Sequence, residues 1–400
     1  MTAPARRVAQ WLADRSALPT SGRAVAGYYA DTGVFDVDAI RLKRTVDDRT
    51  ETMIEEVFGL VEDALADHFD ADAVTFGYDT KLVLPAQLTL GHVYRTARQR
   101  APAGTDPVEL GLWADAADGD GATGPARYGD PLDSADADTL SPQELVDRAE
   151  YLTRLVIEAL IDGDMRDAVN DAEYEDFEVS LDLDDAERAE AARIAQQTLQ
   201  SNLEATFERV PDAVRDHYEW AVDVSEAHQD RDEDFRAMYE RARDGEEAAR
   251  ESIREEYRDA PLDVDADRFA DGTDLPYFST QYARVGVIYD GMVEMYREAG
   301  LPVDPAFKES IVLSIIGAQI WLDDLDDYAA DLADGQLTPV TAEYVLQPDD
   351  RTAYEQVVDL SESYLDTATA AAARSDAPLA GIAADYIYYS GDPSVLPGSE

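Results

Sequence analysis

The sequence predicts an all-α protein. Apolar residues recur at helical spacing through most of the chain, and this pattern is clearest in the stretches 50–68 and 85–98. Two short segments, 34–40 and 81–84, have the composition of strands, but no alternating pattern is long enough to build a sheet. Because 45% of the residues are hydrophobic and 9% are aromatic, the chain has enough apolar side chains for a folded core.

The helices of the first half are predicted from local signals. One helix covers 50–68, where the apolar residues form a single stripe. A second begins at Pro85, since proline suits the first helical turn. A loop rich in glycine, aspartate, proline and alanine follows from 101 to about 140, and loops of this length are usually functional or disordered. Ser141-Pro-Gln-Glu144 has the pattern of a capping box and predicts the start of a third helix.

The second half of the chain contains a segment of different character. Residues 182–271 are densely charged with a helical period, and we interpret them as two or three surface helices inserted into a single domain that covers 1–400. The remaining helices are predicted at 280–297, 305–331 and 350–374, and the residues 390–400 are predicted to form a tail.

The chain is strongly acidic. It carries a net charge of -54, with 87 acidic and 33 basic residues, and its lysines are Lys43, Lys81 and Lys308. Such a composition is typical of a protein in a cytosol of very high salt, because the salt screens the mutual repulsion. We therefore expect a halophilic, cytoplasmic protein. Nucleic acid is not expected as a partner, because the sequence has no basic patch to neutralise phosphates.

The composition also excludes several kinds of site. The chain has no cysteine, which rules out disulfides, thiolate zinc sites and cysteine nucleophiles. Its four histidines lie far apart and form none of the spacings typical of a zinc or di-iron site. The longest apolar run is about a dozen residues, which is below the ~18 needed to span a bilayer. We expect no integral membrane segment, and the N-terminus lacks the apolar stretch of a signal peptide.

One predicted helix carries the most informative pattern. A nearly continuous apolar run from Ile311 to Leu322 indicates a buried helix, and it leads directly into five aspartates. Asp323, Asp327 and Asp331 are spaced four apart, so they are predicted to lie on one face, with Asp324 beside them. Like charges at this spacing repel by a few tenths of a kcal/mol per pair. A bound divalent cation would reverse that penalty, and Mg²⁺ binds to one or two carboxylates, waters and substrate phosphates.

The aspartate pattern resembles a known metal-binding motif. Asp323-Asp-x-x-Asp-x-x-x-Asp, preceded by Gly317 and Gln319, resembles the second aspartate-rich motif of trans-isoprenyl diphosphate synthases. It is also similar to the metal motif of class I terpene synthases. Gly335-Gln-Leu-Thr-Pro339 follows, with Gln336 at a position where that family has a lysine.

Three weaker matches precede this motif in the family's order. The segment from Gly77 to Pro85 keeps a lysine, Lys81, and the proline of the family's diphosphate-binding segment, but it has leucines in place of both arginines. The segment from Asp115 to Asp120, followed by Arg127, resembles a degraded first aspartate motif. The segment from Gly163 to Asp167 resembles Gly-Gln-x-x-Asp, with Asp164 in place of glutamine.

The resemblance implies a class I isoprenoid synthase-like helical bundle around a central cavity. It implies Mg²⁺-dependent ionisation of an allylic prenyl diphosphate, of the terpene synthase or prenyltransferase type, with carboxylate-bound Mg²⁺ stabilising the leaving diphosphate. The residues implied are catalytic Asp323, Asp324 and Asp327, metal ligands Asp323, Asp324, Asp327, Asp331, Asp115 and Asp118, and diphosphate-binding Lys81, Arg127, Gln319 and Asp167.

Two further interpretations fit the same residues. The incomplete first motif is also expected of a catalytically degenerate member that acts as a partner subunit or an isoprenoid-binding protein. Such a chain could form a homodimer or a heteromer with another prenyl synthase. The remaining interpretation is a helical acidic scaffold, in which the face of Asp323 is simply solvated.

Overall fold

The computed structural model describes residues 6, 9, 13, 19–33, 37–105, 110, 131–262, 269 and 274–399. The described chain is predominantly helical, which confirms the predicted all-α class. Its pair of strands, β1 (Phe76–Gly77) and β2 (Glu178–Val179), forms a two-residue antiparallel ladder in which Phe76 faces Val179. Among the described helices, none combines the length and the apolar character that crossing a membrane requires.

The helices of the first half of the chain are α1 (Thr20–Thr32), α2 (Val37–Phe69), α3 (Leu84–Arg100), α4 (Pro142–Asp171) and α5 (Asp185–Phe207). Those of the middle are α6 (Asp212–Gln229), α7 (Asp232–Arg243), α8 (Glu247–Ser252), α9 (Phe278–Gln281) and α10 (Val287–Glu298). Those of the last quarter are α11 (Pro305–Ala318), α12 (Asp324–Asp326), α13 (Tyr328–Asp334), α14 (Pro339–Leu346), α15 (Asp350–Arg374) and α16 (Pro378–Ser390).

The chain divides into two compact units. The first unit comprises Met1–Val37, Tyr218–Gly291 and Asp304–Glu400, and the second comprises Asp38–His217 and Met292–Val303. The predicted 182–271 insertion does not coincide with either unit. Residues 182–217 belong to the second unit, and the rest of the insertion belongs to the first. The described part of this segment is helical, as predicted, but it contains the four helices α5 to α8 rather than two or three, and it is shared between the two units.

Local signals set the helix starts of the second unit. The side chain of Ser141 accepts a hydrogen bond from the backbone N–H of Glu144, and the Glu144 carboxylate accepts one from the backbone N–H of Ser141. This arrangement confirms the predicted capping box. Pro85 lies in the first turn of α3, also as predicted. Buried Glu150 on α4 accepts a hydrogen bond from Tyr94 at 2.5 Å, so α4 carries a satisfied polar group into the core.

The first unit is built around the apolar helix α11. Ile311, Leu313 and Ile316 are each at most 1% exposed, which confirms that this is a buried helix. It packs against α15 at Gly317, where a Cβ atom would lie 2.8 Å from Leu365 Cδ2. The absence of a side chain at Gly317 therefore lets the two helices approach closely. This packing brings the end of α11, and the aspartates that follow it, to the rim of the core.

Several boundary predictions were wrong. The predicted continuous helix 305–331 is interrupted, because α11 gives way to a π-helical turn, Gln319–Asp323, and then to the short helices α12 and α13. Residues 81–83 form a 3₁₀ turn, Leu84 begins α3, and residues 37–40 are helical, so none of these residues is in a strand. Residues 34–36 of the other predicted segment lie outside the described residues. Helix α16 was not predicted. Its starting residue Pro378 suits a first helical turn, so a local signal for it was present.

Candidate functional site

The aspartates after α11 form one face despite the helix interruption. The backbone N–H of Asp327 donates to the carbonyl of Asp323, and that of Asp331 donates to the carbonyl of Asp327, both at 2.9 Å. Hydrogen bonds four residues apart preserve the helical stacking of these side chains. Asp323 and Asp327 are exposed, and Asp331 is half-buried. Beside this row, Asp324 is only 2% exposed.

Asp324 is held by two neighbouring side chains. Its Oδ1 lies 3.4 Å from Arg284 Nη1 and 3.3 Å from Gln319 Nε2. Gln319 also donates to the carboxylate of Asp323 and so joins the two adjacent aspartates. The other oxygen of Asp324, Oδ2, is buried, and no hydrogen-bond donor among the described residues contacts it. A buried carboxylate oxygen without a donor is costly, so it requires an explanation.

The pKa values of Asp324, Asp327 and Asp331 are all raised, because these carboxylates are buried to different extents and lie close to one another. Burial raises the pKa of Asp324 to about 7, with Arg284 opposing the shift and the negative charge of Asp323 adding to it. Burial also raises the pKa of Asp331 to about 6, again opposed by Arg284 and reinforced by Asp327 and Asp323. The pKa of Asp327 is raised by burial and by its acidic neighbours. The four aspartates therefore act on one another as one electrostatic cluster.

Arg284 is the cation of this cluster. Its side chain is 35% exposed. Burial alone lowers the pKa of Arg284, but Asp324, Tyr257 and Asp323 together outweigh that effect and raise it. The guanidinium consequently stays charged at every accessible pH. Sequence reasoning missed this residue. The available signal was a single arginine in the apolar stretch from Tyr282 to Tyr289.

Arg284 also lines a small polar pocket. Its other polar lining includes His228, Asp232, Tyr257 and Thr338. The cavity volume is ≈ 30 Å³, which accommodates about two waters or the end of a polar group. The hydroxyl of Tyr257 donates to the backbone carbonyl of Leu337 at 2.8 Å, so this wall is fixed. The pocket therefore presents a guanidinium and several hydrogen-bonding groups to a small ligand.

Two further features set the charge of the pocket. His228 is 5% exposed, and its burial, together with Arg231 and Arg284, lowers its pKa to about 4. The imidazole is thus neutral near pH 7. Gln336, which also lines the pocket, accepts a hydrogen bond from Arg236 Nε at 2.8 Å.

Three π-helical segments of the described chain contribute residues to the cluster. The segment Ile253–Arg258 contains Tyr257, the segment Tyr282–Gly286 contains Arg284, and the segment Gln319–Asp323 ends beside Asp324. A π turn inserts one extra residue and rotates the side chains that follow, and such turns occur frequently at functional sites. The sequence shows no recognisable signal for any of them.

The predicted site residues are only partly brought together. Asp323, Asp324, Asp327, Asp331 and Gln319 lie in one cluster of the first unit. Asp167 is an exposed residue of α4 in the second unit. The backbone of Lys81 belongs to that unit as well, while its side chain lies outside the described part of the structure. The predicted residues Asp115, Asp118 and Arg127 also lie outside the described residues.

The aromatic residues near the cluster are part of the core. Tyr277, Phe278 and Tyr282 are each at most 1% exposed. The hydroxyl of Tyr277 donates to Glu343 at 2.7 Å, and that of Tyr282 donates to Asp290 at 2.6 Å. These rings pack the interior of the first unit, and their polar ends are satisfied within it.

The adjacent carboxylates fit the requirements of Mg²⁺ in a limited way. Within the described ranges, no group of three or more histidine, aspartate or glutamate side chains is arranged so that it could hold a metal ion by itself. In phosphate-processing sites, Mg²⁺ takes one or two carboxylates and completes its shell with waters and substrate phosphates. Asp323 and Asp324 meet this smaller requirement, and Oδ2 of Asp324 is an oxygen without a donor.

Comparison of the chain with protein-family models, with curated proteins and with solved structures finds no match.

Proposed function

We propose that this chain catalyses Mg²⁺-dependent ionisation of an allylic prenyl diphosphate. Asp323 and Asp324 would hold the metal, with Asp327 and Asp331 contributing negative charge on the same face. The contact between Arg284 and Asp324, at 3.4 Å, supports this function most directly. It places a permanent cation between the carboxylates and a small polar pocket, and a metal–diphosphate ligand needs both kinds of group.

The residues of the pocket would act on the diphosphate end of the substrate. Arg284 can donate two parallel hydrogen bonds to phosphate oxygens. The neutral imidazole of His228 adds a hydrogen-bonding group without adding charge. When the allylic C–O bond breaks, the electron pair leaves with the diphosphate, and Arg284 would stabilise the charge that accumulates there. Bound Mg²⁺ would supply further stabilisation of the leaving group.

Release of pyrophosphate tests the proposal. The purified chain is incubated in molar KCl and Mg²⁺ with prenyl diphosphates from geranyl to geranylgeranyl length, and pyrophosphate is measured. We expect Mg²⁺-dependent release that Asp323→Asn and Asp324→Asn abolish. Asp326→Asn is the matched control, because Asp326 is an exposed aspartate of the same run. Unchanged rates in the Asp323→Asn and Asp324→Asn variants would refute the proposal.

Binding without turnover is the second candidate function. It is favoured by the Gln319 amide, which donates to both Asp323 and Asp324 and so already occupies an oxygen of each proposed metal ligand. In that case a non-ionisable prenyl thiodiphosphate binds in a Mg²⁺-dependent manner, and pyrophosphate is not released from any substrate. Absence of both binding and release would exclude the two functions together.

A further inference from the structure

The C-terminal segment, residues 388–398, is anchored along the first unit. The hydroxyl of Tyr344 donates to the carbonyl of Pro397 at 2.6 Å, and Arg351 Nη1 donates to the carbonyl of Gly398 at 3.3 Å. Leu396 is 2% exposed and belongs to the core. Gly398 has a φ of +83°, and a Cβ there would lie 2.4 Å from the carbonyl oxygen of Asp350. The predicted tail is therefore bound to the unit at successive points.

The same segment also contacts the turn that contains Asp323. Trp321, two residues before Asp323, donates from Nε1 to the carbonyl of Tyr388 at 2.9 Å. Its ring is stacked on that of Tyr388, with centroids 6.0 Å apart and planes 5° from parallel. Gly391 lies against the indole so closely that a Cβ would be 2.2 Å from Trp321 Nε1. Only glycine allows this approach.

The contact continues on the far side of the aspartate pair. The 3₁₀ turn Pro393–Val395 of the C-terminal segment lies against α12, the helix that begins at Asp324. The segment thus contacts the chain before Asp323, at Trp321, and again at the short helix that begins with Asp324. These two residues lie at the end of a π turn, and Asp324 carries a buried oxygen without a donor. A local conformation of this kind persists only when the surrounding structure holds it in place.

We propose that the C-terminal segment positions the turn that contains Asp323 and Asp324, and that the contact between Trp321 and Gly391 fixes the segment to this turn. A substitution at Gly391 displaces the indole, which loosens the π turn and moves the carboxylates. The functional consequence rests on the proposed Mg²⁺ site, but the coupling of the segment to the turn does not. The two can therefore be tested separately on the same samples.

Amide hydrogen exchange of the metal-free protein tests the coupling. In Gly391→Ala, we expect exchange of the 319–327 amides to accelerate by on the order of tenfold relative to the amides of α15 in the same sample. Gly22→Ala is the matched control, because a Cβ at Gly22 has nothing within 4 Å. Equal acceleration throughout the unit, or no acceleration, would overturn the proposal.

A compensating substitution separates positioning from general destabilisation. Trp321→Leu replaces the rigid indole with a smaller, flexible side chain, so the double variant Gly391→Ala/Trp321→Leu should exchange more slowly at 319–327 than Gly391→Ala alone. If the effects of the two substitutions on amide exchange at 319–327 are additive, the Trp321–Gly391 contact does not position the turn. Mg²⁺ titrations run in parallel then report on function. If the wild type does not bind Mg²⁺, the proposed function fails while the exchange data still decide the coupling.

Discussion

Arg284 Nη1 lies 3.4 Å from Oδ1 of Asp324, a carboxylate that is 2% exposed and whose second oxygen has no donor within the described part of the chain. Burial of a carboxylate is unfavourable unless its charge is balanced, and among the described residues one guanidinium, that of Arg284, faces several aspartates. The cluster is therefore short of positive charge as it stands. Addition of a cation, removal of a carboxylate or a change of pH should each alter its stability in a predictable direction.

Substitution of Asp324 by asparagine should stabilise the metal-free protein at high pH. The folded-state pKa of about 7 lies above the ordinary value of 3.8. Between these values the folded protein binds a proton that the unfolded chain has released, so stability falls as pH rises through this window. We expect the variant to exceed the wild type by about 1–3 kcal/mol near pH 8, and by less near pH 5. Denaturant unfolding measures the free energy of unfolding of the variant and the wild type at each pH. Equal differences between the two proteins at pH 8 and pH 5 would contradict the burial of a charged carboxylate at Asp324.

Substitution of Arg284 should weaken binding of a phosphate-containing ligand. Loss of a charged hydrogen-bond donor costs about 1.5–3 kcal/mol, or roughly tenfold to hundredfold in affinity. We therefore expect Arg284→Gln to bind Mg²⁺–pyrophosphate much more weakly in calorimetric titrations, and Arg284→Lys to be intermediate because it keeps the charge but loses the planar fork. Arg243→Gln is the control, since Arg243 donates to the backbone carbonyl of Leu332. Equal losses in the Arg284 and Arg243 variants would argue against a specific role.

Substitution of Lys308 should destabilise the first unit strongly. Its Nζ lies 2.9 Å from Asp290 Oδ1, and the two side chains are 2% and 0% exposed. Replacing Lys308 by methionine leaves a buried aspartate without its cation, at a cost of about 3–5 kcal/mol in unfolding free energy. The double variant Lys308→Met/Asp290→Asn should recover much of that loss. Urea unfolding of the wild type, the single variants Lys308→Met and Asp290→Asn, and the double variant gives the coupling energy. A coupling near zero would show that the pair is not energetically linked.

Addition of one methyl group at Gly317 should separate α11 from α15. A Cβ there would lie 2.8 Å from Leu365 Cδ2, and overpacking of this kind costs about 1–3 kcal/mol. Gly59→Ala is the control, because nothing lies within 4 Å of that position, and a helical glycine-to-alanine change there should stabilise by roughly 0.5–1 kcal/mol. Thermal unfolding distinguishes the opposite signs. Similar shifts in the two variants would contradict the close helix packing.

The sequence was most informative where a local signal decides the structure. The capping box at Ser141, the proline start at Pro85 and the buried character of the helix from Ile311 were all predicted and are present. The continuous helix through 331 was not found. The π turn before Asp324 contains Trp321, whose indole N–H donates to the carbonyl of Tyr388 in the C-terminal segment. Such contacts join residues far apart in sequence, and no window of local sequence contains them.

The candidate site shows the same difference between what local sequence determines and what tertiary contacts determine. The sequence by itself determined the acidic composition, the all-α class and the four-residue spacing that aligns Asp323, Asp327 and Asp331. Only the tertiary structure decided that Asp324 is buried while Asp323 is exposed, and that Arg284 lies between the carboxylates and a pocket. The reason is physical: spacing along a helix follows from its geometry, whereas burial and proton affinity depend on what packs around each residue.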